Sequence, residues 1–202
     1  RHITNGLLTQ NNNQAELVQA SEKSNQARQN SETLGVVLTS TLGCNFGCHY
    51  CCQGTEKDFS AFNPDIILKI SNIYLQKNYK NLEMIWYGGE PLLVKKQIKN
   101  ASKELSCLVK TKDGKYTSTL ITNGSLLNLT TARELVSAGI ENFHISIDGS
   151  ENYHNQSRNL RGGGETYQTI INNINEIEKS DLKVKICIRV NHYTGFNIID
   201  ET

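Results

Sequence analysis

From Leu34 onward, short apolar runs alternate with longer segments in which apolar residues recur at helical spacing. The runs predict strands and the segments between them predict helices. A strand-helix unit that repeats places its strands parallel and joins them through right-handed crossovers. A doubly wound sheet and a barrel both satisfy this pattern, so periodicity leaves the two architectures open. The predicted strands cover 35–40, 84–87, 118–121, 143–147 and 184–190.

Capping and breaking residues set the boundaries of the predicted helices. Asn63-Pro64 predicts a helix start, with proline in the first turn. Thr131-Ala132-Arg133-Glu134 predicts a second start through a capping box, and Gly139 predicts the end of that helix. Two more helices are predicted over roughly 94–110 and roughly 166–179, the second of them after a long loop.

Composition separates a polar leader or linker at residues 1–33 from a core domain at 34–202. The net charge is only +1, from 21 basic and 20 acidic residues. Such a balance gives no field that would attract nucleic acid or an anionic membrane, so neither is expected as a partner. No apolar run approaches the roughly 20 residues that cross a bilayer, and no signal peptide opens the chain. We therefore expect a cytoplasmic protein, and the ends at Arg1 and Thr202 favour a portion of a longer one.

The residues best suited to chemistry follow the predicted strands. Four cysteines lie between positions 44 and 52, after the first strand, and Gly88-Gly89-Glu90-Pro91 follows the second. Asn123 follows the third strand, and Ser146 and Asp148 lie at the end of the fourth. Sites in parallel α/β folds form at the carboxyl ends of the strands. The sequence therefore predicts that these loops meet at one site.

The cysteine loop has the spacing C-x3-C-x2-C, at Cys44, Cys48 and Cys51. Thiolates are soft ligands that suit iron–sulfur clusters, zinc or copper(I). In a chain without a secretory signal, clustered cysteines favour a metal over disulfides. Three thiolates on a four-iron cluster leave one iron without a protein ligand, which is what a chelating substrate requires. We predict that these three cysteines hold a [4Fe–4S] cluster and form the catalytic centre.

A structural zinc site is the alternative interpretation of these cysteines. Such sites usually take two ligands from each of two separated pairs. A second pair is missing here, because Cys107 falls on a predicted helix and Cys187 falls inside a predicted strand. Cys52 is predicted to be a spare buried thiol.

These residues and their order resemble the radical S-adenosylmethionine (SAM) superfamily. Tyr50, just before the third cysteine, completes the resemblance of the loop to the family signature. The stretch 86–93 resembles the GGEP motif, and 122–124 resembles the third-strand motif. Ser146-Ile147-Asp148-Gly149 with His154 and Arg158 resembles the branch of anaerobic sulfatase-maturing enzymes and SPASM-type peptide maturases. The resemblance implies an α/β fold, a partial (β/α)6 barrel with five βα units visible and truncated before the sixth strand.

The resemblance also implies two cofactors, the [4Fe–4S] cluster and SAM. It implies that Tyr50 stacks on the adenine, although a core aromatic is an alternative. It also implies that Ser146 and Arg158 bind the carboxylate of SAM, although a solvated surface arginine is an alternative for Arg158. Asn123 is expected to position SAM or a loop backbone, or to serve only an Asn-Gly turn. The second-strand motif, Gly88, Gly89, Glu90 and Pro91, is expected at the amino group of SAM.

Several of these residues have second interpretations. Glu90 is expected to pair with the positive charge of SAM or an arginine, or to act as a helix N-terminal charge. Asp148 orients the ribose or a neighbouring loop, or forms an ordinary turn. His154 and the glycine-rich stretch 161–164 are expected to shape a loop. Arg189 and Asn191 line the site or are merely solvated at the end of a strand.

The chemistry implied by the resemblance is reductive cleavage of SAM to methionine and a 5′-deoxyadenosyl radical, which abstracts hydrogen from a substrate. The expected partners are a peptide or protein substrate, modified after translation, and an external one-electron reductant of ferredoxin or flavodoxin type. Three other functions stay open at this point: small-molecule cofactor biosynthesis, electron transfer by an iron–sulfur protein, and a zinc-stabilised binding module.

Overall fold

The structure, a computed structural model, describes residues 32–54 and 56–191, so nearly all of the predicted leader lies outside it. In this part of the chain five parallel strands form one sheet in the order β1-β2-β3-β4-β5. A doubly wound sheet reverses its order at a switch point, whereas a barrel wall runs in chain order. The architecture is therefore that of a partial barrel. The strands are β1 Thr33–Thr41, β2 Asn81–Gly88, β3 Tyr116–Thr122, β4 Asn142–Ser146 and β5 Lys185–Arg189.

The helices that cross between the strands confirm most of the predicted pattern. They are α1 Asp65–Gln76, α2 Lys95–Lys110, α3 Leu129–Val136, α4 Glu151–Ser157 and α5 Tyr167–Glu178, and a 3-10 helix spans Pro91–Val94. The predicted long loop before α5 is wrong in part, because it contains α4. That helix is short and polar, so it has no apolar period to reveal it.

The predicted capping box at 131–134 is also wrong. The N-cap of α3 is Asn128, whose side-chain oxygen accepts a hydrogen bond from the backbone N–H of Thr131. Asparagine is one of the best N-cap residues, and this contact satisfies one of the free N–H groups of the first turn. Glu134 instead pairs with Lys95 and Lys99 of α2. The predicted stop at Gly139 agrees with its φ of +85° just after the helix.

The core lies between the sheet and the helices. Leu82, Met84 and Trp86 alternate along β2 and are fully buried. Trp86 is the register neighbour of Leu38 on β1 and of Leu120 on β3, so large apolar side chains form a row across the sheet. The indole N–H of Trp86 donates to the Ser118 hydroxyl over 2.9 Å, so the buried ring has a partner for its polar atom.

The opposite face of the sheet lines the interior of the partial barrel. Val37 of β1, with 65% of its surface exposed, points into this interior next to Ile85 of β2. All five strands end at the same edge, and the cysteine loop begins there, directly after β1. Among the described helices, none has both the length and the apolar character needed to cross a membrane.

Candidate functional site

The cysteine loop is docked on the end of β2. The backbone N–H of Gly89 donates to the Thr41 carbonyl over 2.9 Å, and that of Glu90 donates to the Gly43 carbonyl over 2.7 Å. A Cβ atom on Gly88 would lie 2.2 Å from the Thr41 oxygen, and one on Gly89 would lie 2.2 Å from the Gly43 oxygen. Gly88 also has a φ of +137°. The close approach of the loop backbone therefore requires glycine at both positions, whether or not a cofactor touches them.

A second brace of the loop comes from the segment that follows α4. Phe46 forms an isolated antiparallel bridge with Leu160 and is 2% exposed. The backbone N–H of Gly47 donates to the Asn159 carbonyl over 2.9 Å, and that of Arg161 donates to the Asn45 carbonyl over 2.9 Å. The glycine-rich stretch is thus tied to the cysteine loop at its start. No local sequence pattern predicts this pairing, because the two segments are far apart in the chain.

Asn123 connects the loop to the end of β3. Its amide N–H donates to the side-chain oxygen of Asn45 over 2.8 Å, and its own oxygen accepts from the backbone N–H of Ser125 over 3.0 Å. Asn45 donates in turn to the Ser125 hydroxyl over 3.0 Å. The predicted role in positioning a loop and the predicted turn are therefore both present in the structure, in the same side chain.

The loop holds its cysteines as free thiols of unequal exposure. Cys44, Cys48 and Cys51 are partly buried, whereas Cys52 is exposed, so the prediction of a buried Cys52 is wrong. Burial raises the pKa of the Cys44 thiol, and burial also raises that of Cys48 against the opposing field of Arg158. The sulfur of Cys44 accepts from the backbone N–H of Phe46 over 3.4 Å.

The three thiols lie on the wall of a cavity of about 380 Å³ at the carboxyl ends of the strands. It brings together most of the predicted site residues, namely Cys44, Cys48, Tyr50, Cys51, Gly88, Gly89, Asn123, Ser146 and Arg158. Glu90 and Pro91 are not among the residues that line it. The remaining lining residues are Phe46, Cys52, Gln53, Tyr87, Ile121, Thr122, Arg189 and Asn191.

Glu90 is turned into the protein interior and fully buried. One carboxylate oxygen accepts from the Leu92 N–H over 3.0 Å and from the Thr122 hydroxyl over 2.7 Å. The other accepts from the Asn123 N–H over 2.8 Å. Burial raises the pKa of this carboxyl, and these hydrogen bonds oppose the rise. Glu90 therefore ties the end of β2 to the end of β3 and caps the 3-10 helix, the second of its two predicted interpretations.

A polar cluster of Tyr50, Asp148, Arg158 and Asn191 closes one side of the cavity. The Tyr50 hydroxyl donates to the Asp148 carboxylate and accepts from the Arg158 guanidinium over 2.6 Å. The Asn191 amide donates to both the Tyr50 oxygen and the Asp148 carboxylate, over 3.1 Å each. Burial, with the hydrogen bond to Asp148, raises the pKa of Tyr50 to about 12, so its hydroxyl stays protonated at neutral pH. Asp148 thus connects four separate segments.

Arg158 is 7% exposed, which excludes the solvated surface arginine. Its nearest carboxylate oxygen is that of Asp148 at 3.8 Å, and the guanidinium lies 5.8 Å from the centre of the Phe46 ring. Its Nε is buried without a hydrogen-bond partner in the described part of the chain. A buried donor without a partner is costly, and because Arg158 also lines the cavity, its guanidinium would suit an anion bound there.

His154 contacts this polar cluster from the protein interior. It is fully buried in α4, where its Nδ1 accepts from the backbone N–H of Asp148 over 3.2 Å. Its Nε2 lies 3.1 Å from the Thr166 hydroxyl, which itself donates to the Arg158 carbonyl over 2.7 Å. These partners assign the proton to Nε2. Burial, with the nearby Arg158 charge, lowers the pKa of His154 to about 4, so the ring is neutral.

The donor set fits an iron–sulfur cluster better than a single ion. In residues 32–54 and 56–191, no three side chains of His, Cys, Asp or Glu converge on a point that would hold one metal ion. The thiolates of a cubane cluster bind different iron atoms, so they need not converge. Three soft thiols and the cationic Arg158 lining one cavity match a cluster that would leave an iron free for an anionic chelator.

The chain belongs to the radical SAM superfamily, because the model of that family matches residues 38–201. Members of this superfamily use a [4Fe–4S] cluster and S-adenosylmethionine. The curated relatives include a GTP 3′,8-cyclase of Synechococcus sp. (strain CC9605), 27% identical over 122 residues, and one of Parasynechococcus marenigrum (strain WH8102), 29% identical over 125 residues. These alignments cover 58% and 60% of this chain but only 35% and 36% of the relatives.

Solved structures confirm the fold. Native anSMEcpe with bound AdoMet superposes with a TM-score of 0.66 at 23% identity, over 77% of this chain and 43% of its own. SuiB of Streptococcus suis bound to the precursor peptide SuiA superposes with a TM-score of 0.56 at 16% identity, over 95% of this chain and 45% of its own. At such identities the likeness is one of fold, and it confirms the partial barrel predicted from the sequence.

Proposed function

We propose that this chain carries the catalytic core of a radical SAM enzyme. The observation that supports the proposal best is the common cavity of three free thiols, Cys44, Cys48 and Cys51, and the buried Arg158. Loaded with its two cofactors, the site would supply one-electron cleavage of SAM and a 5′-deoxyadenosyl radical that abstracts hydrogen from a substrate.

The protein residues position the cofactors and keep the site in shape. Cys44, Cys48 and Cys51 would hold the cluster, and the guanidinium of Arg158, which lines the same cavity, would pair with the carboxylate of SAM. Ser146, at the end of β4, lines the same cavity and adds a hydroxyl. Asp148 fixes Tyr50 and Arg158 relative to each other, so the cysteine loop and α4 keep one geometry around the bound molecule.

For the substrate we propose a peptide or protein side chain, as in the maturase branch that the sequence resembles. Two structures of the same fold support this choice: anSMEcpe with bound AdoMet and the Kp18Cys peptide, and SuiB with its precursor peptide SuiA. The chain spans less than half the length of these proteins. The electron donor in this proposal is a one-electron reductant of ferredoxin or flavodoxin type.

A nucleotide substrate is the second candidate, because the two curated relatives are GTP 3′,8-cyclases. The two candidates differ in a direct assay. If the substrate is a nucleotide, GTP added to reduced, cluster-loaded protein accelerates the release of 5′-deoxyadenosine from SAM. If the substrate is a peptide, GTP leaves that release at its background rate.

Low-temperature electron paramagnetic resonance tests the shared chemistry. We expect anaerobically reconstituted, dithionite-reduced protein to give a [4Fe–4S]⁺ signal whose shape changes when SAM is added. Cys48→Ala should abolish the signal, whereas Cys107→Ala should keep it, because Cys107 is exposed on α2, away from the cavity. A signal that ignores SAM would favour an electron carrier. The absence of any cluster in the full-length protein would refute the proposal.

A further inference from the structure

Residues 57–62, here called the covering segment, turn back over the cysteine loop immediately after it. The Thr41 hydroxyl donates to the Asp58 carbonyl over 3.2 Å, and the Phe62 N–H donates to the Ser40 carbonyl over 2.9 Å. Between these anchors Phe59 lies on the loop, since a Cβ on Gly43 would come within 2.6 Å of its ring. The covering segment is therefore held against the end of β1 and the start of the cysteine loop.

This arrangement places Lys57 at a sulfur of the site. Its ammonium nitrogen donates to the Cys51 sulfur over 3.4 Å, a normal length for a hydrogen bond to sulfur. The charge also reaches Cys44, because it opposes the rise in the pKa of that thiol. No carboxylate in the described ranges lies within ion-pair distance of Lys57. The positive charge is thus directed at the thiols and not neutralised by a neighbouring acid.

An ammonium group in this position has a definite electrostatic consequence. When an iron–sulfur cluster accepts an electron, its net charge becomes more negative by one. A fixed cation beside a ligand sulfur stabilises the reduced form more than the oxidised form, because the attraction grows with the negative charge. Hydrogen bonds to the sulfurs, net charge and solvent exposure are the quantities that set the potentials of such clusters.

We propose that Lys57 raises the reduction potential of the cluster held by Cys51, and so makes the cluster easier for the external one-electron reductant to reduce. The proposal rests on the proposed function, since it requires the cluster. Lys57 is not among the residues that line the cavity, and in this proposal it acts on the cluster through the sulfur that it contacts. The electron balance is that of a one-electron transfer from reductant to cluster, with no other group oxidised or reduced.

The test is a potentiometric titration of anaerobically reconstituted protein, followed by the electron paramagnetic resonance signal of the reduced cluster. The variants are Lys57→Gln, which removes the charge, and Lys57→Arg, which keeps it. Lys103→Gln, at an exposed position of α2, is the matched control for the loss of one positive charge. Iron and acid-labile sulfide are measured for each protein, so that only samples with equal cluster content are compared.

We expect Lys57→Gln to lower the ratio of reduced to oxidised cluster about tenfold at a fixed potential, a shift of about 59 mV to more negative values for a one-electron couple. Lys57→Arg and Lys103→Gln should titrate close to the wild-type protein. Equal potentials for wild type and Lys57→Gln, at equal cluster content, would overturn the proposal. So would a Lys57→Gln protein depleted of iron, because Lys57 would then serve assembly. A wild-type protein without a cluster would instead defeat the proposed function itself.

Discussion

The buried ring of His154 makes the stability of the fold depend on pH. Its pKa falls from 6.5 to about 4 on folding, because the ring is buried and lies near Arg158. In the unfolded chain the His154 ring is therefore protonated near pH 6.5, whereas in the folded chain it is protonated only near pH 4. Acidification through this window favours unfolding, so the stability contribution that is present above pH 6.5 is lost as the pH falls.

The magnitude follows from the shift. One pKa unit corresponds to about 1.4 kcal/mol, so the whole window is worth about 3 kcal/mol, of which about 2 kcal/mol is lost between pH 7.5 and pH 5. The measurement is urea unfolding of the metal-free protein at several pH values. The fluorescence of Trp86 reports unfolding, because Trp86 is the single tryptophan and is fully buried.

The comparison is with His154→Gln, whose amide keeps one acceptor and one donor but does not titrate. We expect this variant to be less stable at neutral pH and to lose about 2 kcal/mol less than the wild type between pH 7.5 and pH 5. Glu90 titrates in both proteins, so its effect cancels in the difference. Equal losses of unfolding free energy in the wild type and His154→Gln between pH 7.5 and pH 5 would refute the reasoning.

Two further predictions concern contacts that hold the site in shape. Gly89→Ala should displace the cysteine loop, since the new Cβ would lie 2.2 Å from a loop carbonyl. The iron content after reconstitution should therefore fall severalfold. Gly35→Ala, whose Cβ would have no atom within 4 Å, should leave the iron content unchanged. Asp148→Asn should cost about 3 kcal/mol in urea unfolding, because it leaves Arg158 buried without its counter-charge. The same change in the exposed Asp181, paired with a surface arginine, should leave the urea midpoint close to that of the wild type.

The strands and the place of the site were predictable because they depend on local signals. Alternating apolar residues such as Leu82, Met84 and Trp86 define a strand with one buried face, and parallel strands must end at one edge. The spacing of the cysteines is likewise a local pattern. Helix α4 escaped prediction because its residues are polar, and it is held by His154 and Thr166 through contacts that no periodicity shows.

The partners of the predicted site residues depend on pairs that are distant in the chain. Asn45 meets Asn123, and Tyr50 meets Asp148, across separations of 78 and 98 residues. Nothing in a single sequence marks such pairs, because each side chain alone suits a turn, a surface or a ligand. For the same reason the sequence leaves Glu90 with two interpretations, of which the structure shows the helix-capping one, in a carboxylate that also joins two strand ends in the interior.

The three sets of contacts that hold the cysteine loop have a consequence for assembly of the cluster. Because the ends of β2 and β3 and the 159–161 segment each hold the loop, its backbone entropy is lost during folding of the barrel and not at the moment iron arrives. Assembly of the cluster then requires only that iron binds to cysteine sulfurs on a loop that is already ordered. A chain that has lost its cluster would therefore keep the backbone conformation of the loop, and a new cluster could be assembled without refolding.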